Sequence, residues 1–189
     1  MKHRTVAPAP SRVSVRGCEA AVRKPFDALD MLLARIPESL IALLARFSIA
    51  AVFWKSGQTK IEGLAIDLVG GTFELGIPRL SSSAVALFRD EYGLPWIPPE
   101  VAATLAALGE HALPILILFG LATRFAALGL LVMTAVIQLL VYPGAYPTHG
   151  VWAAVLLWLM VRGPGRWSLD HAWAMRARRG RLAAPVSVA

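Results

Sequence analysis

The chain has 189 residues, of which 57% are hydrophobic and 16% charged, and its mean hydropathy is +0.59. A soluble domain averages about 45–50% apolar and about 25% charged, so this composition excludes an ordinary water-soluble domain and points to a bilayer. The formal charge of +7 does not imply nucleic acid as a partner, because the cations gather at the two ends of the chain rather than on one face of a module.

The opening stretch, "MKHRTVAPAPSRVSVRGCEAAVRKP", is basic, rich in proline and serine, and has no apolar core of a signal peptide; residues 1–25 read as a disordered cytoplasmic tail. Its Cys18 is the sole cysteine, so no intrachain disulfide is possible. In "FDALDMLLARI", Phe26, Leu29, Leu33 and Ile36 share a helical face, which predicts an interfacial amphipathic helix over 26–36. A first membrane span follows at 37–54, with Pro37 in the favoured first turn. Crossing a bilayer takes roughly 17–25 apolar residues, and three later segments approach that length: 101–122, 125–142 and 145–161.

The long loop between the first two spans contains "SSSAVALFRDEYGLP". A serine cap, apolar Val85, Leu87 and Phe88, and a Gly93/Pro95 stop predict a short helix over the outer mouth. The alternative for this segment is plain connecting loop. Seven Lys/Arg precede Glu38, six lie from Arg162 onward, and Arg124 sits between spans two and three. The loop over 55–100 has four, against six acids. By the positive-inside rule both termini are cytoplasmic and the long loop is periplasmic. The expected fold is all-α, an integral membrane four-helix bundle over 37–172 with a long periplasmic loop, followed by a basic cytoplasmic tail over 173–189.

Charged and hydrogen-bonding side chains inside the spans mark the candidate site. The second span, "VAATLAALGEHALPILILFGLA", is apolar except for Glu110 and His111 at its centre and Thr104. Arg46 lies nine residues after Pro37 and Glu110 ten after Glu100, so at about 1.5 Å per residue both reach the midplane from opposite sides. An unpaired charge there costs at least about 2.5–3.5 kcal/mol, which predicts an Arg46–Glu110 contact. Adjacent helical residues point about 100° apart, so His111 faces a different neighbour from Glu110. Gln138 in the third span and His149 at the start of the fourth extend the polar set outward. Lys55, Gln58 and Lys60 leave the outer end of the first span. The arrangement suggests an outward-opening cavity, with a structural ion pair and interfacial lysines as the plainer alternative. No metal-ligand spacing, phosphate loop, nucleophile elbow or haem motif is present in the sequence.

Five pieces in order, "ARFSIAAVFWKSGQTK", "FRDEYGLP", the intramembrane "EH", "FGLATR" and "RGPGRWSLD", resemble the DoxX family of small four-helix membrane proteins. The resemblance covers about residues 40–172 and carries over Arg46, Gly57, Lys60, Glu110, Arg124, Gly163, Gly165 and Asp170, with Arg124, Gly163, Gly165 and Asp170 forming an inner-face motif. It implies the bacterial cytoplasmic (inner) membrane and a link to membrane redox complexes in stress, sulfur or metal metabolism. It assigns no catalytic residue.

The leading functional expectation is an accessory subunit associated with quinone and with a protein partner in a membrane complex. The chain has no intrinsic cofactor motif and no catalytic constellation of its own, so electrons would come from that partner. Quinone is the candidate ligand, since quinone sites combine an apolar slot with a few polar groups. The competing expectations are a small-solute or ion permeation protein and a membrane scaffold for a partner.

Overall fold

The computed structural model describes residues 29–67 and 70–183. The expected tail over 1–25 and residues 26–28 of the interfacial helix lie outside the described residues. Residues 29–33 are helical and Leu29, Leu33 and Ile36 are exposed. The helix stops short of Ile36, consistent with the restriction that Pro37 places on the residue before it.

Among the described residues four helices are long and apolar enough to cross a membrane: Glu38–Gln58, Pro99–Phe119, Thr123–Val141 and Pro143–Arg162. The first is α1 (Glu38–Gln58), which ends four residues beyond the expected apolar run and so carries Lys55 and Gln58 on its last turn. Next come two antiparallel strands, β1 (Ile61–Asp67) and β2 (Thr72–Leu80), and a short helix, α2 (Ser82–Leu87). The second span is α3 (Pro99–Phe119), with prolines at its entry and Glu100 in its first turn, where an acid suits the helix dipole. It ends three residues earlier than its hydrophobic run, because Gly120 adopts φ +67°, a left-handed cap that an L side chain rarely tolerates. The third span is α4 (Thr123–Val136), extended to Val141 by one wide π turn. The fourth is α5 (Tyr146–Arg162), entered through a 3-10 turn at Pro143–Ala145. The basic segment expected as a tail is helical to Ala183 as α6 (Leu169–Ala183).

The core of the bundle joins Ile49, Ala50 and Phe53 of α1 to Ile117 of α3, Ala126 and Leu130 of α4, and Leu156 and Leu159 of α5. Small residues on α3 (Ala103, Ala107, Pro114) are buried and let neighbours approach closely. Large apolar side chains such as Leu44 and Phe47 on α1 and Leu105 and Leu108 on α3 are exposed, as a lipid-facing surface requires. The molecule is a multi-pass membrane protein, mostly helical, with one small sheet.

That sheet corrects the expectation of an all-α fold. Its alternation was present in the sequence: Leu64 and Ile66 on one strand, Phe73, Leu75 and Ile77 on the other, separated by a glycine-containing turn. The short helix predicted from "SSSAVAL" is present, capped by the Ser81 side chain on the Ser83 amide. A π turn at Phe88–Tyr92 continues it, and Gly93 ends it. Phe88 packs on Ala102 and Ala103, the first turns of α3.

The helices are staggered, and this stagger decides which polar groups meet. Gly57, in the last turn of α1, abuts His111 and Glu110 of α3. The eleven residues of α3 before Glu110 therefore run about 16 Å past the end of α1. Their neighbours are α2 and the π turn instead.

Candidate functional site

The polar residues expected as one site fall into three separate groups. The first is at the hairpin end of α1. Lys60 follows the last helical turn and folds back into the bundle, where its Nζ meets Glu110 Oε2 at 2.7 Å. The two side chains are 5% and 3% exposed, so solvent screens the pair little. Lys60 Nζ also donates to the carbonyl and the hydroxyl oxygen of Ser56, at 3.3 and 3.1 Å. All three donors of the ammonium are thereby used, which a buried cation requires. Lys60 is thus a buried partner rather than an outer-mouth residue; Lys55 remains exposed.

The predicted Arg46–Glu110 contact does not form. Equal counts from the two helix ends placed both residues at mid-depth, but the stagger brings Glu110 level with Gly57, eleven residues beyond Arg46. A lysine just after the helix reaches the carboxylate in its place.

His111 stands beside this pair without joining it. Its Nδ1 lies 2.6 Å from the Ala107 carbonyl and must donate there, which leaves Nε2 to accept from the Gln58 amide at 2.8 Å. Gln58 Oε1 in turn accepts from the Ile66 amide at 2.7 Å, so the hydrogen-bond directions are mutually determined and the imidazole is the neutral Nδ1–H tautomer. Trp54 packs edge-on against the imidazole and donates from Nε1 to the Ile66 carbonyl at 3.0 Å. The sheet is therefore pinned to α1 by both polar atoms of the Ile66 backbone, and Gln58 carries the link on to His111 of α3. Gly57 makes this approach possible: a Cβ there would lie 2.8–2.9 Å from the His111 ring.

The second group couples α4 to α5. His149 Nδ1 donates to Gln138 Oε1 at 2.8 Å, and Gln138 Nε2 donates to the Pro143 carbonyl at 2.7 Å. Gln138 lies in the π turn, which re-aims its side chain toward α5. His149 is buried against Trp152, which contacts Phe53 of α1. The described bonds of Gln138 and His149 do not extend to Glu110 or His111.

The third group holds the opposite end of the bundle. Arg46, 1% exposed, donates from its two terminal nitrogens to the carbonyls of Leu118 (3.2 Å) and Trp167 (2.5 Å), while its Nε has no partner. The Leu118 carbonyl belongs to the last turn of α3, the negative end of the helix dipole, which favours a guanidinium. Asp170 adds a negative field at Arg46. Its carboxylate accepts from the Ala122 and Thr123 amides at 2.8 and 3.0 Å and from the Thr123 hydroxyl at 3.0 Å. Ala122 cannot cap α4 itself, so an acid 47 residues further along the chain from Thr123 does so. The turn containing Gly163 and Gly165 returns the chain to Arg46, with the Arg166 amide bound to Ser39 Oγ at 3.2 Å. Arg124 donates to the Val161 carbonyl at 3.4 Å.

Near the hairpin end, but outside the spans, the Tyr142 hydroxyl donates to Glu91 and Tyr142 packs edge-on against Tyr92. The bond to Glu91 raises the Tyr142 pKa well above the ordinary phenol value. Burial, followed by the negative charges of Glu110 and Glu91, raises that of Tyr92.

The family model for DoxX matches residues 41–143, more than half of the chain. The chain belongs to the DoxX family. The matched range includes α1, the hairpin, α3 and α4, and with them Arg46, Gly57, Lys60, Glu110 and Arg124. The fourth span and the Gly163, Gly165 and Asp170 turn lie beyond it. Neither the curated proteins nor the solved structures include a match. In this DoxX protein the residues behind the resemblance divide into two tight knots, one at each end of the bundle.

Ser56, Trp54, Thr123 and Trp167 complete these groups and were not among the residues singled out from sequence. Ser56 had a usable signal, its four-residue spacing from Lys60 in "WKSGQTK". Trp167 had none, since it contributes a backbone carbonyl. Among the described residues no three His, Cys, Asp or Glu side chains gather as a metal site.

Proposed function

We propose that this DoxX protein is a redox accessory subunit of a bacterial inner-membrane complex, holding a quinone headgroup beside the Lys60–Glu110 pair. The observation that carries the reading is that pair itself: a buried ammonium and carboxylate at 2.7 Å, next to a neutral imidazole, within a lipid-facing bundle. An ion pair at such a position is costly to maintain and is a default candidate for proton handling. A quinone carbonyl takes the place of the Ser56 hydroxyl as acceptor of one Lys60 N–H, and the pair exchanges a proton with that oxygen. Reduction to quinol takes two electrons from a partner subunit and two protons, one passed by the pair to the first carbonyl oxygen and one taken up by the second from water at the membrane surface. Membrane stress, sulfur or metal metabolism is the setting this family reading suggests. Both termini are cytoplasmic and the hairpin periplasmic, on the strength of four spans and the Lys/Arg distribution.

The test is the complex released by mild solubilisation together with its partner. Bound quinone should be recovered and reduced on addition of the partner's electron donor. The Lys60→Met/Glu110→Gln double variant, which strands no charge, should lose the quinone while retaining the partner. Intact quinone turnover in that variant removes the pair from the reaction. Solute flux in liposomes without quinone binding replaces this reading with permeation. A stable partner with neither activity replaces it with a scaffold, which is favoured by the mutual satisfaction of His111, Gln58, Gln138 and His149.

A further inference from the structure

The β-hairpin is two-faced in a way the bundle does not use. Leu64 pairs with Leu75 and Ile66 with Phe73, and Ile77 lies two residues on in β2, at the register shift opposite Gly63. The opposite side carries Thr72, Glu74 and Gly76. Phe73, Leu75 and Ile77 are 64%, 82% and 79% exposed. Three adjacent large apolar side chains left so open are an anomaly for a surface facing water.

The depth of the hairpin supplies the missing solvent. Ile66 is bound through its amide to Gln58 and through its carbonyl to Trp54, both on the last turns of a membrane span. The turn holding them abuts α3 at Glu110, eleven residues inside the start of another span. The space beside the first turns of α3 therefore belongs to the length of a span, and α1 leaves it vacant. The hairpin and α2 sit at that end, with β2 against α3.

We propose that the Phe73, Leu75 and Ile77 face lies on lipid, seated in the boundary between headgroups and acyl chains of the leaflet at the hairpin end. The insertion is shallow, because a two-stranded sheet has two open edges whose backbone groups find no partner in hydrocarbon, and Gln58 and Trp54 bind those of Ile66 alone at the α1 side. The polar face and the Glu62–Arg79 register pair near the base suit the headgroup side. The apolar face then continues the lipid-facing surface formed by Leu105 and Leu108 of α3. This inference stands apart from the quinone reading, since it needs neither the ion pair nor a partner.

Single cysteines at Leu75, Ile77 and Glu74, in full-length protein carrying Cys18→Ser, are labelled with an environment-sensitive nitrobenzoxadiazole probe. Each is placed in phosphatidylcholine nanodiscs at one protein per disc. The expected result is blue-shifted emission at 75 and 77, quenched several-fold more by lipid spin-labelled near the headgroup than by iodide, with the reverse at 74. The substituted positions are exposed, and unchanged melting of each labelled protein confirms that the fold survives. Water-like emission at 75 and 77, quenched by iodide, overturns the proposal. A blue shift seen only in crowded vesicles and absent from single-copy discs overturns it too, and assigns the face to a second copy of the chain.

Discussion

Removing either member of the Lys60–Glu110 pair should be among the most damaging single changes in this protein. The partners meet at 2.7 Å with side chains 5% and 3% exposed, and Ser56 satisfies the two remaining ammonium donors. In Glu110→Gln the ammonium remains buried without a counter-charge; in Lys60→Met the carboxylate does. Breaking such a pair costs about 3–5 kcal/mol, mostly the penalty of the stranded charge. At about 2–4 °C per kcal/mol for a chain of this size, the melting temperature should fall by about 6–20 °C. The double variant leaves no charge behind and should recover most of the loss. Thermal unfolding followed by helical circular dichroism in detergent micelles, over the complete double-mutant cycle, measures both effects. Single losses below about 1 kcal/mol, or a double loss equal to the sum of the singles, would refute the reasoning. The parallel cycle of Arg46→Met with Glu110→Gln should be additive, because the two residues share no partner.

Gly57→Ala should destabilise by about 1–3 kcal/mol, since its Cβ would enter the His111 ring, and His111→Ala in the same chain should relieve part of that loss in a thermal melt. Asp170→Ala frees two amides and a hydroxyl at the start of α4 and should cost about 1–2 kcal/mol; Asp170→Asn, which keeps an acceptor, should cost less by the same measurement. The raised pKa of Tyr142 means that the folded protein holds the phenol proton more tightly than the unfolded chain. Its contribution is full below about pH 10, the unfolded value, and is lost as pH rises through the folded value. Alkaline titration at 295 nm should show Tyr142 ionising last, after Tyr92, in a step that disappears in Tyr142→Phe and moves to lower pH in Glu91→Gln.

The spans were legible because lipid imposes a one-dimensional requirement: enough apolar residues in a row, with prolines at the entries and a glycine at the exit of α3. Glu110 was legible as an anomaly, since any charge in such a run must find a partner. The identity of that partner was not. Depth counting treated two helices as level at their ends, whereas the loop after α1 allows α3 to extend about three turns beyond it. The hairpin was missed because four- to nine-residue alternations carry less signal than an eighteen-residue apolar run.

Composition and pattern alone determined that this chain carries four segments apolar enough to cross a bilayer and that Glu110 and Arg46 are buried. Those properties follow from the solvent each residue faces, which the local sequence largely dictates. Tertiary structure decided the pairings. Lys60 rather than Arg46 meets Glu110, Asp170 caps a helix that begins 47 residues earlier, and backbone carbonyls of Leu118 and Trp167 receive the arginine. Each depends on the relative stagger of packed helices and on main-chain atoms that every residue carries alike, so residue identity cannot encode it locally.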